Sequence, residues 1–162
     1  IIKPQAISML SDAALALKKD FFRYTELVMS MLDNASATQL SGDDDEEHDE
    51  FVWELREAIL EVSSAVFISY REAKEQDRIF QCVNPIVSHS LNWNNESGFT
   101  TEVRNKTVGV WGDIVEAYGV KIAPLFRQTQ LVKDLISQCE VSDDEDLRAT
   151  AQWFNGLLAM AR

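Results

Sequence analysis

Apolar residues return along this chain every three or four positions, and nowhere do they alternate strictly with polar ones. Over residues 3–17 they fall at Ala6, Ile7, Leu10, Ala13, Ala14 and Leu17, the i, i+3, i+4, i+7 spacing that gives a helix one apolar stripe. The same period runs through 20–36, at Phe21, Tyr24, Leu27, Val28, Met31, Leu32 and Ala35. The pattern predicts seven helices, at about 3–17, 20–36, 50–72, 77–93, 100–118, 121–139 and 145–161. Pro85 is tolerated in the fourth only near its start or at a kink. Gly119 closes the fifth, and Ser142 with Glu145 three residues on forms a capping box for the seventh. The segment 41–50 is read as an acidic loop and 94–98 as a turn.

The helices resemble one another. A shift of 101 residues lays Ile2–Val115's two ends in register: Ile2-Lys3 falls on Val103-Arg104, and Asp12 falls on Asp113. A shift of 49 lays Ala6 on Leu55, Leu10 on Ile59, Asp12 on Glu61 and Ala13 on Val62. Two-helix repeats of about 40–47 residues mark HEAT and armadillo arrays, which stack into concave protein-binding surfaces. The expected fold is therefore all-α, an α-α superhelix of HEAT type. The opening of the seventh helix (Asp144, Leu147, Arg148, Ala151) has the look of a second helix in such a repeat. On that reading the first, third, fifth and seventh helices are second helices, lining a concave face. The expected organisation is one array over 1–162: a half repeat at 1–18, then repeats at about 20–72, 77–119 and 121–162. The chain starts inside a helix and is read as a piece of a longer protein.

Charge narrows the partner. The chain of 162 residues carries a net charge of −12, and the imbalance is local. Residues 43–50 hold seven acids and residues 143–146 four; taking these eleven from the 27 acidic residues leaves 16 against 15 basic ones. Such a surface repels nucleic acid and anionic lipid and attracts a basic partner. No apolar run approaches the ~20 residues of a membrane span. Cys82 and Cys139 are too few for a disulfide framework or a zinc site, and read as buried thiols. Nothing points to an enzyme, a metal or a cofactor. There are two histidines, His48 and His89, no Gly-rich phosphate loop and no nucleophile motif.

One stripe could bind a basic helix. Glu50, Glu54, Glu57 and Glu61 stand at i, i+4, i+7, i+11 on the third helix, and Asp113 with Glu116 extend the pattern on the fifth. The bland alternative is an ordinary solvated helix face. Trp153 could stack an arginine or lysine, or could be core beneath the last repeat. Trp93 and Trp111 read as core, and Trp53 is open between the two. Asp12, Glu61 and Asp113 share one repeat position, which favours a ladder between repeats over partner contact. The acidic segment 43–50 is either an electrostatic guide for a basic ligand or a solubility feature.

Several stretches in order resemble the C-terminal end of the importin beta family: Ile2-Lys3-Pro4-Gln5-Ala6-Ile7-Ser8 with Ser11-Asp12 and Ala14-Leu15-Ala16-Leu17, then Phe22-Arg23-Tyr24 with Glu26, Val28 and Met31-Leu32. Glu54-Leu55-Arg56-Glu57 with Leu60-Glu61, Gly112-Asp113, and Ala151-Gln152-Trp153 continue the resemblance over nearly the whole chain. It implies a nuclear import receptor whose acidic concave surface wraps the basic N-terminal segment of importin alpha, working between cytoplasm and nucleus at the pores of the nuclear envelope. Glu50, Glu54, Glu57, Glu61, Asp113, Glu116 and Trp153 are then the expected partner-binding residues. Ran GTPase and Phe-Gly nucleoporins are partners of the whole family member and receive no residues here. The segment 43–50 is more acidic than the family pattern, and no basic tail follows Arg162. The rival reading is another HEAT scaffold, a different karyopherin or a phosphatase regulatory subunit, that binds no import adaptor; an enzyme-associated helical domain is the third.

Overall fold

A computed structural model of the chain describes residues 3–42 and 45–161. Ile2, which opens the first repeat alignment, and Asp43 and Asp44 of the acidic run lie outside them. Among the described residues every regular element is helical. The α-helices are α1 (Pro4–Leu17), α2 (Phe22–Ser36), α3 (Glu46–Glu72), α4 (Val83–Trp93), α5 (Thr101–Tyr118), α6 (Ala123–Gln128), α7 (Gln130–Glu140) and α8 (Glu145–Met160), with 3-10 turns at Lys18–Phe21, Gln76–Cys82 and Gly119–Lys121. The chain divides into two compact units, 1–86 and 87–162, the division falling within α4.

In the first unit α1 and α2 both pack on the long α3. Ile7 and Ala14 of α1, Val28 and Leu32 of α2, and Val52, Ile59, Val62 and Val66 of α3 are buried, each on the stripe its period set. Ser69 Oγ of α3 donates to Ala14 O at 2.9 Å, satisfying a carbonyl at the C-terminal end of α1. The Phe22 and Tyr70 rings stack with centroids 3.7 Å apart.

In the second unit α5 packs on α8, and α8 on α7. The core is aromatic. Trp111, Phe126 and Phe154 are fully buried, with ring centroids 5.4–6.1 Å apart. The Trp111 indole N–H donates to Ser90 Oγ at 3.0 Å, so its one polar group is satisfied within the core. Trp93 is buried as well, and the half-buried His89 stacks on it.

Three sequence expectations are corrected. The acidic loop is shorter than 41–50, because α3 begins at Glu46: Asp45 caps it by accepting the His48 N–H at 3.1 Å, and Glu46, Glu47 and Asp49 fill the first turn. Carboxylates there complement the helix dipole, so the acid run is a helix start. Asp49 also accepts from the Ser41 N–H and hydroxyl at 2.8 and 3.0 Å. The sixth predicted helix is two, α6 and α7, broken at Thr129 (φ −81, ψ 111). Finally, the cap of α8 is Asp144, which accepts the Leu147 N–H at 2.8 Å, while Ser142 Oγ accepts from Asp144 N–H one step earlier. The fourth helix is 3-10 from Gln76 and becomes α only at Val83, leaving Pro85 in the first α turn, where its missing N–H costs little.

Candidate functional site

The glutamate face of α3 follows from helix geometry. Residues four and seven apart recur on one side of a helix, so Glu50, Glu54, Glu57 and Glu61 form a row, while Val52, Ile59 and Val66 turn the other way into the core. Glu50 and Glu54 are exposed; Glu57 and Glu61 are half-buried, and both already interact with neighbouring groups. Arg56, within the same run, is not part of the row. It is 2 % exposed, and its guanidinium lies 4.5 Å from the centre of the buried Trp53 ring. Trp53, open in the sequence reading, is therefore on the core side, and the row presents carboxylates without an intervening cation.

The other expected residues lie in the second unit. Asp113 is half-buried and Glu116 exposed on α5. Trp153 of α8 is 38 % exposed, and the tip of its ring lies on the α5 backbone at Gly112. A methyl group at 112 would collide with the ring, so glycine here is what lets α8 approach. Gly112 and Glu116 are one turn apart on the same face of α5, which brings the tryptophan beside that carboxylate. Trp153 thus has one part committed to packing and another open to solvent.

Sequence reasoning missed an open hollow of about 860 Å³ between α2 and the start of α3, lined by Leu27, Met31, Ala35, Phe51 and Leu55 and edged by Asp45 and Glu47. Its signal was present: the apolar positions of α2 span an arc too wide for one core face, and Leu27 is 73 % exposed.

Both thiols are free. Burial pushes Cys139 up to about 11, with Arg104 nearby pulling the other way; burial, then the charge of Asp33, raises Cys82. Burial likewise lowers Arg104, whose guanidinium sits 3.8 Å from the Phe99 ring centre. In the first unit, Glu75 is held below its ordinary value by its hydrogen bond from Arg78, with Lys19 adding a pair at 3.5 Å. Among the described residues no cluster of His, Cys, Asp and Glu could hold a metal ion, and no helix is long and apolar enough to cross a membrane.

Paired helices with an acidic outward row define a helical-repeat protein with a surface for cations. The family model described as "Importin subunit beta-1-like, TPR repeats" matches residues 1–140, and the chain belongs to that family. Importin subunit beta-1 of Arabidopsis thaliana is 28 % identical over 157 residues, covering 94 % of this chain and 18 % of its own length. A crystal structure of importin beta superposes with a TM-score of 0.91 at 21 % identity, covering 97 % of this chain and 18 % of that one. Kap95, in its complex with Nup1, superposes with a TM-score of 0.85 at 19 % identity, covering 98 % of this chain and 19 % of that one. The fold is therefore the all-α repeat fold of importin beta. The chain spans about a fifth of the length of these relatives.

Proposed function

We propose that this chain is part of a nuclear transport receptor, from the C-terminal end of the array, and that it helps hold the Arg/Lys-rich N-terminal segment of importin alpha. On this reading the protein works between cytoplasm and nucleus. Its repeats are a half repeat at 1–18 followed by pairs at about 20–72, 77–119 and 121–162, and the second helices face the ligand. The observation that carries the proposal is the row Glu50, Glu54, Glu57 and Glu61 on the side of α3 opposite its buried face. A basic helix laid along it gains charge-assisted hydrogen bonds, and arginine forks pair with carboxylates in two-pronged fashion. Asp113 and Glu116 supply further carboxylates, and the open part of Trp153 supplies a face for a guanidinium.

The test is a titration of a labelled importin-alpha N-terminal peptide into the chain at low and physiological salt. Glu54→Gln/Glu57→Gln/Glu61→Gln should weaken low-salt binding about tenfold to a hundredfold, taking about 0.5–1 kcal/mol per partly exposed ion pair. Helicity should be unchanged. Equal binding by wild type and the triple variant would remove the row from the site.

A further inference from the structure

We infer that the hollow between α2 and α3 is a second docking site, taking an amphipathic helix of a partner protein with apolar anchors one turn apart and lysine or arginine flanks. The site lies beyond the glutamate row: Phe51 and Leu55 belong to a different arc of α3 from Glu50, Glu54 and Glu57.

Size and lining set the occupant's apolar half. A hollow of about 860 Å³ has room for several side chains and falls within the range of ligand pockets. Its apolar floor is supplied by two helices, through Leu27 and Met31 of α2 and Phe51 and Leu55 of α3. Leu27 keeps 73 % of its surface open, and Phe51 and Met31 are only half covered. A helix inserts i, i+3 and i+4 side chains into a groove of this kind. Methionine and leucine on its wall adapt to more than one anchor shape.

Charge sets the other half. The residues lining the hollow include Asp45 and Glu47 and no lysine or arginine. The whole chain carries −12. An acidic segment would therefore be repelled, whereas lysines flanking the anchors would meet carboxylates at the rim. Asp45 caps α3 through one oxygen and, as a carboxylate, keeps acceptor capacity for an incoming cation.

The probe is a fluorescein-labelled amphipathic peptide with leucines at i, i+3, i+4 and i+7 and lysines elsewhere, followed by anisotropy at low and physiological salt. Two control peptides replace the leucines by serine or the lysines by glutamate. Leu27→Ser and Leu27→Ser/Met31→Ser should weaken the probe about tenfold or more at unchanged helicity. Leu27→Ser is safe for folding because that side chain is exposed. Asp45→Asn/Glu47→Gln, which keeps a capping oxygen at 45, should flatten the salt dependence. Glu54→Gln/Glu57→Gln/Glu61→Gln should leave probe binding within about twofold. This last variant separates the inference from the importin-alpha reading, which predicts the opposite response for its own peptide. The inference is overturned if the serine peptide binds as well as the leucine one, if the Leu27 variants bind like wild type, or if the probe does not bind at low salt. It is also overturned if the chain self-associates and Leu27→Ser disperses it, since the groove would then belong to a second copy.

Discussion

Replacing Lys18 by glycine should stabilise the first unit. Lys18 follows α1 with φ 48 and ψ −118, a backbone region that an L side chain enters at a cost of about 1–3 kcal/mol. Gly119 follows α5 with φ 50 and ψ −123, the same geometry, 101 residues further on. That offset is the one that lays Asp12 on Asp113, so two equivalent helix ends turn alike and only one carries the residue suited to the turn. Against the relieved strain stand about 0.4–1 kcal/mol of extra unfolded-chain entropy for glycine. The pair Lys18–Glu72, 3.5 Å apart and largely exposed, adds about 0.5 kcal/mol at most. The net gain is about 0.5–1 kcal/mol. Lys18→Ala is the decisive control, since it loses the ion pair and keeps the strain. Urea unfolding followed by circular dichroism should rank Lys18→Gly above Lys18→Ala by about 1 kcal/mol, the reverse of their order in a helix interior. Lys18→Ala equal to or more stable than Lys18→Gly would refute the strain argument, and Gly119→Ala failing to destabilise would refute it independently.

Other consequences can be checked with the same material. Gly112→Ala sets a Cβ 2.8 Å from Trp153 Cε3 and nearer still to Cζ3 and Cη2; it should cost about 1–2 kcal/mol by overpacking. In a Trp153→Ala background the same change should become neutral or stabilising, and additivity in the cycle would show that the two do not touch. Phe154→Ala, deleting a fully buried ring of the Trp111–Phe126–Phe154 cluster, should destabilise the second unit by about 3–5 kcal/mol in urea unfolding. Cys139 should resist maleimide in the folded chain and react on unfolding, with Cys82 intermediate. Because the folded thiol of Cys139 titrates at about 11, its contribution to stability is complete below the ordinary thiol range and should fall as pH rises toward 11. An alkaline urea series should show that loss, and Cys139→Ala should remove it.

The periodicity in the sequence located the helices because burial of one stripe decides where a helix lies, and Ile7, Val28, Val66 and Val103 all obeyed it. Boundaries escaped where side chains compete for the backbone. Thr129 Oγ1 donates to Leu125 O at 2.7 Å, beside a longer 3.3 Å bond from its own N–H, and the helix breaks there. A run of acids looks like a loop by composition, yet Asp45 makes it a helix start. Of the candidate site, the spacing of the four glutamates was readable, since position along one helix is enough to align them. That Arg56 turns inward onto Trp53, and that Trp153 rests on Gly112, depend on which helix lies opposite, which one period does not encode. The hollow formed by Leu27, Met31 and Phe51 needs two helices at once, so only its excess of apolar residues was visible beforehand.

The central claim is that α3 presents its glutamate row to a basic segment. The most direct measurement is photo-crosslinking with importin-alpha peptides carrying a diazirine at successive positions, followed by mass spectrometry of the labelled chain. The account predicts labels concentrated on residues 50–61 of α3, lost in Glu54→Gln/Glu57→Gln/Glu61→Gln and suppressed by salt. Labels confined to other elements, or unchanged by those substitutions, would contradict it.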